Sequence, residues 1–147
     1  MNILSSRKAG LTRRTIGLQQ LNLVALTPTE IQKTTPSAWA YLGDAIYELY
    51  VRSYYLIPAK RSRSYHQLVV AQVRAESQAH HLHNLKPHLT SLELDILKRG
   101  RNAAFGKPKR LDPEVYQQAT SLEALIGYLY LTDPQRLNQL LGYIKLD

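Results

Sequence analysis

Seven prolines punctuate this chain, and their placement leaves room for little except helices. Proline lacks a backbone N–H, so it fits the first position of a helix and breaks the interior of one. "TPTEIQK" has a Thr–Pro start with Glu30 soon after, the pattern of a short helix N-terminus. Pro36 and Ser37 open a longer helix through "SAWAYLGDAIYELYVRSYYL", stopped at Pro58, whose positions Tyr41, Leu42, Ala45, Ile46 and Leu49 follow the helical repeat. "SRSYHQLVVAQVRAESQAHHLHNL" reads as a second long helix, capped by Ser62 or Ser64 and ended before Pro87. A third starts at Thr90 or Ser91 and runs through "LELDILKRGRNA"; "FGKPKRLDP" is a Gly/Pro loop. Asp112 and Pro113 start a fourth, "EVYQQATSLEALIGYLYL", and Thr132 or Asp133 with Pro134 starts the last, "QRLNQLLGYIKL". No alternating strand pattern competes, so the expected fold class is all-α.

The length of 147 residues fits one domain with a real core. Residues 1–26, which carry Arg7, Lys8, Arg13 and Arg14 and no acid, read as a basic arm ahead of a domain spanning 27–147. The same composition also suits a remnant of an organelle-targeting peptide. Nineteen Lys and Arg against eleven Asp and Glu give a net charge of +8, which points to an anionic partner, nucleic acid above all. No apolar run approaches the length of a membrane span. With no cysteine, thiolate sites and disulfides are excluded, and any metal must be held by oxygen or histidine.

Two acids stand out because they lie in apolar surroundings. Asp44 shares a helix face with Glu48, but Glu48 has Arg52 one turn on as an ion-pair partner, while Asp44 has no base at that spacing. Glu123 sits inside "SLEALIGYLYL", on a helix that is otherwise largely apolar, which turns it toward a cleft. Two carboxylates from separate helices, converging beside a basic loop, suit a hard cation such as Mg²⁺, which keeps several waters and often takes one or two carboxylates plus phosphate. Surface acids and ion pairs are the plainer explanation of such residues. Six bases and no acid lie between Lys98 and Arg110 (Lys98, Arg99, Arg101, Lys107, Lys109, Arg110), where Gly100, Gly106 and Pro108 are expected to break the helix and let the backbone reach outward. Such a stretch can track phosphates beside an RNA minor groove, and Asn102 could donate to a 2′-hydroxyl or cap the helix end. Lys60, Arg61 and Arg63 flank an expected helix start, where positive charge is slightly unfavourable and an external anion would help. His80, His81, His83 and His88 lack a recognisable third-ligand spacing and read as a polar helix face; the tyrosines read as packing.

"AYLGDAIYELYVR", "RAESQA", "LKRGRNA" and "ATSLEALIGYLYL", in this order and spacing, resemble Mini-ribonuclease III, the short branch of the ribonuclease III family. The resemblance runs from about Leu26 to the end. It implies the ribonuclease III endonuclease-domain fold and a Mg²⁺-dependent endonuclease that cuts double-stranded RNA as a homodimer, leaving 5′-phosphate and 3′-hydroxyl ends. It implies, too, maturation of the 23S ribosomal RNA precursor in the cytoplasm or a plastid, with a large-subunit ribosomal protein as a candidate presenter of the substrate. Asp44 matches the family's catalytic, metal-binding aspartate, and Glu123 its metal-binding glutamate. Full-length enzymes carry further acids where this chain has Ala40 and Thr120, a departure expected of the short branch. The competing expectation is a non-catalytic RNA-binding or ribosome-assembly protein of the same fold.

Overall fold

The computed structural model describes residues 23–104 and 110–146. Seven α-helices are present among them: α1 (Pro28–Gln32), α2 (Pro36–Tyr55), α3 (Ser62–Val73), α4 (Ala75–Leu85), α5 (Ser91–Ala103), α6 (Pro113–Thr132) and α7 (Pro134–Tyr143). A 3₁₀ turn, Lys86–His88, joins α4 to α5. Helix starts follow the local chemistry of the sequence. Thr27 with Glu30 and Thr90 with Glu93 form capping boxes, while Asp112 and Asp133 cap the helices whose first residues are Pro113 and Pro134. The arm expected over residues 1–26 lies outside the described residues as far as position 22. No described helix is long and apolar enough to cross a membrane.

Helix α6 is the central element, with α2, α4, α5 and α7 packed around it. Its residues Leu122, Ala124, Leu125, Ile126 and Leu129 are all buried, and Tyr47 and Val51 of α2 are fully enclosed against the same core. The α2–α6 contact is unusually close. A Cβ on Gly43 would lie 1.8 Å from the backbone oxygen of Glu123, and one on Gly127 would lie 1.9 Å from the backbone oxygen of Trp39. The two helices therefore touch backbone to backbone, which only glycine permits at the crossing. Gly100 does the same for α5, since its Cβ would stand 2.6 Å from the Ala124 Cβ.

Four expectations are corrected by this arrangement. The helix expected over residues 62–86 is two helices, broken at Arg74, whose ψ of 155° is extended. Neither proline nor glycine causes the break; side chains collect the carbonyls it frees. Ser77 Oγ donates to the Ala71 oxygen at 2.5 Å, Tyr47 Oη to that of Gln72 at 3.3 Å and Gln78 Nε2 to that of Val73 at 3.0 Å. Gly100 does not break α5: it is buried inside the helix, serving the approach to α6. On α2 the inward face is Trp39, Ala40, Gly43, Ile46, Tyr47 and Tyr50, whereas Tyr41, Ala45 and Leu49 point to solvent, Tyr41 with 86% of its surface exposed. Finally, Lys60 is not misplaced, because its ammonium bonds the Tyr55 and Pro58 carbonyls at the C-terminal end of α2, where a cation is favourable.

A partly buried ion pair ties α5 to α7. Arg136 meets Glu93 through Nε at 2.8 Å and Nη2 at 2.9 Å, and Nη2 also donates to the His88 carbonyl at 2.8 Å. The Arg136 guanidinium holds the Glu93 carboxyl below its usual range. Glu93 thus caps α5 and ties it to α7 at once.

In an ordinary helix interior, replacing glycine by alanine stabilises by about 1 kcal/mol. At Gly43 and Gly127 the sign should reverse, because backbone on the facing helix occupies the Cβ position. Gly43→Ala and Gly127→Ala are each expected to destabilise by about 1–3 kcal/mol or more in urea unfolding, the usual cost of overpacking.

Candidate active site

The glycine crossing decides where the acids sit. Asp44 follows Gly43, and the Gly43 Cα faces the backbone of Glu123, so the two carboxylates issue from opposite sides of one backbone contact. Their side chains come within hydrogen-bonding reach of each other. Asp44 is solvent-exposed at the rim, while Glu123 is half-buried among Leu122, Ala124 and Ile126. Among the described residues neither acid has an ion-pair partner. Glu48, by contrast, is taken up by Arg52 at 2.5 Å, as its spacing suggested.

Two carboxyls this close cannot both ionise cheaply. Burial first, then the hydrogen bond with Asp44 and its charge, pushes the Glu123 carboxyl up from 4.5 to about 9. The proton that Glu123 keeps holds the place where a cation would act. An all-oxygen pair, free of competing bases and open to solvent on the Asp44 side, fits Mg²⁺ with its remaining positions taken by water or phosphate. Among the described residues no cluster of three or more His, Asp or Glu could hold a metal. Ala40 is buried and Thr120 carries only a hydroxyl, so neither position adds a carboxylate to the pair. The histidines lie elsewhere, His81 buried against Gln72 at 2.9 Å and His88 stacked on Tyr143.

The basic segment divides between two faces. Its α5 part, Lys98 to Asn102, is helical and attaches beside the acids, since Gly100 rests on Ser121 and Ala124. Lys98 and Arg101 line an open cleft between α4, α5 and α6 with Lys86, Leu82, Glu114 and Gln118, and Arg101 pairs with Glu114 at 3.0 Å. Arg99 instead lies over the Trp39 ring, 4.9 Å from its centroid. Asn102 and Arg110 are exposed, and Lys107 and Lys109 lie outside the described residues. Sequence reading passed over Trp39 and the two glycines. Small residues beside both acids, "LGD" and "EALIG", are the one signal that could have announced a close helix crossing.

The raised Glu123 carboxyl fixes a pH dependence. Between 4.5 and about 9 the folded protein holds a proton that the unfolded chain has released, so stability falls as pH rises through that window. With divalent cations chelated, Glu123→Gln should flatten this decline and melt at a higher temperature than the wild type at about pH 8. Thermal melts across the pH range in a chelating buffer measure it.

The fold has known counterparts. The Ribonuclease III domain matches residues 37–134, a span containing both acids. A Mini-ribonuclease 3 of Synechococcus sp. is 58% identical over 121 residues, covering 82% of this chain and 88% of its own length. One of Staphylococcus aureus is 40% identical over 119 residues, covering 78% and 89%. Among solved structures, the crystal structure of protein FN1578 from Fusobacterium nucleatum matches with a TM-score of 0.69 at 31% identity, over 74% of this chain and 90% of that one. The chain belongs to the ribonuclease III family, in its Mini-ribonuclease 3 branch, and is an endoribonuclease.

Proposed function

We propose that this endoribonuclease cuts both strands of an RNA duplex as a Mg²⁺-dependent homodimer, and that its substrate is the 23S ribosomal RNA precursor. The observation that carries the reading is the contact between Asp44 and Glu123, two carboxyls without an ion-pair partner among the described residues. Both would hold Mg²⁺, which when bound supplies an activated attacking water and positive charge against the phosphorus. Glu123 would have to give up its proton to serve as a ligand, and its repulsion with Asp44 would then be offset by the charge of the bound ion. The duplex would lie against the basic surface of α5 and the segment leading to Arg110, reached through phosphates and 2′-hydroxyls.

A dimer supplies one acid pair per strand. The outward stripe of α2, with Tyr41, Ala45 and Leu49 in solvent and Leu56 and Ile57 beyond its end, supports a second copy as its cover. The ribosomal precursor is the role implied by the Mini branch. It would place the protein where ribosomes are assembled, in the cytoplasm or a plastid, with a large-subunit ribosomal protein presenting the RNA.

With Mg²⁺ and a duplex bearing a 23S precursor end, wild type should cleave both strands to 5′-phosphate products. Asp44→Asn and Glu123→Gln should each slow cleavage by at least about a hundredfold while still binding the duplex. Wild-type protein that binds this RNA and never cuts it would make the chain a non-catalytic RNA-binding member of the fold.

A further inference from the structure

We infer that Arg99 is a positioning residue for the acid pair, acting through the face of Trp39, and is not one of the phosphate contacts. The inference rests on the proposed cleavage at Asp44 and Glu123. Its neighbours Lys98 and Arg101 face the α4 side, but the Arg99 guanidinium covers the Trp39 ring at 4.9 Å from the centroid. Trp39 is 3% exposed although it belongs to the first turns of α2, so Arg99 is part of what seals it.

Trp39 is held on its other sides as well. Its indole Nε1 donates to Thr34 Oγ1 at 2.6 Å, just ahead of α2. Its ring meets Tyr128 of α6 edge-on at 4.9 Å. Its carbonyl oxygen is the atom that a Cβ on Gly127 would strike. Trp39 is therefore part of the α2–α6 crossing that sets Asp44 against Glu123, and Arg99 reaches that crossing from α5. This contact links the C-terminal half of the basic helix to the first turns of the acidic one. A planar guanidinium stacks on an indole in a way an ammonium does not reproduce, whereas on a phosphate a lysine largely substitutes for an arginine as a point charge.

That difference supplies the test. Arg99→Ala and Arg99→Lys are compared with wild type and Lys98→Ala for cleavage at saturating duplex. Duplex affinity against salt is measured on the Asp44→Asn background. Trp39 is the sole tryptophan of the chain, so acrylamide quenching of its emission reports how well Arg99 covers the ring. Both Arg99 variants should slow saturated cleavage about tenfold, as misplaced reacting groups do, and expose Trp39 to the quencher. Their affinity should stay within about twofold of wild type with the salt slope unchanged, whereas Lys98→Ala should lower that slope by about one. Arg99→Ala lowering the slope by about one, with Arg99→Lys restoring it and saturated cleavage intact, would overturn the inference. So would wild-type cleavage rates in both variants. If the wild type itself cuts nothing, the cleavage reading fails separately. Calorimetric Mg²⁺ affinity of the RNA-free chain then decides the role of Arg99: severalfold weakening in both variants upholds it, and unchanged affinity ends it.

Discussion

The backbone contact between α2 and α6 is the constraint on which the remainder depends. Gly43 and Gly127 remove the side chains that would hold the two helices apart, so the Glu123 carbonyl faces the Gly43 Cα and the Trp39 carbonyl faces that of Gly127. At ordinary helix separations of about 8–10 Å, two carboxylates on facing helices need not meet. Here the residue after one glycine and the residue four before the other are driven together. Bringing two carboxyls together without a base is unfavourable, which is why Glu123 keeps its proton, and the hydrophobic burial of Leu122, Leu125, Tyr47 and Val51 holds the crossing together against that cost.

The basic surface is organised by a second glycine contact, that of α5 with α6. Gly100 brings α5 onto Ser121 and Ala124, beside Glu123, so positive charge is delivered on a rigid helical turn and not on a loop alone. Helical geometry then sorts the bases: Lys98 and Arg101 open toward α4, and Arg99 turns back onto Trp39. Counting bases along the sequence treats them as one patch, whereas their helical phases assign them different work. The Arg136–Glu93 pair fixes the N-terminal end of α5 to α7 and so steadies the helix that carries this surface.

Much of the fold was legible because its instructions are local. Thr27 with Glu30, Thr90 with Glu93, Asp112 with Pro113 and Asp133 with Pro134 mark helix starts within a few residues of sequence, and the structure settles on Thr90 and Asp133 where two residues were candidates. The cap expected at Ser62 or Ser64 does not form, because Arg61 holds that position without a side-chain bond. The convergence of Asp44 and Glu123 was also legible, partly from their apolar settings and partly from the ribonuclease III resemblance. What could not be read depends on distant partners. The break at Arg74 exists because Tyr47 and Gln78 reach the carbonyls of Gln72 and Val73, and nothing within residues 70–78 announces the contribution of Tyr47. Gly100 was misread for a related reason: glycine as a helix breaker and glycine as a site of close approach look identical until the facing helix is known. The inward face of α2 was misassigned because Tyr41 and Leu49 are as apolar as the residues that are buried.

The central claim is that Asp44 and Glu123, brought together by the glycine crossing, share one divalent cation. Crystals grown with Mn²⁺ in place of Mg²⁺ test it most directly, because anomalous scattering locates the ion without reference to activity. The account predicts one strong anomalous peak bridging the two carboxyls, with manganese–oxygen contacts to both side chains. A peak bound to other residues, or one touching Asp44 while Glu123 turns away, would contradict it.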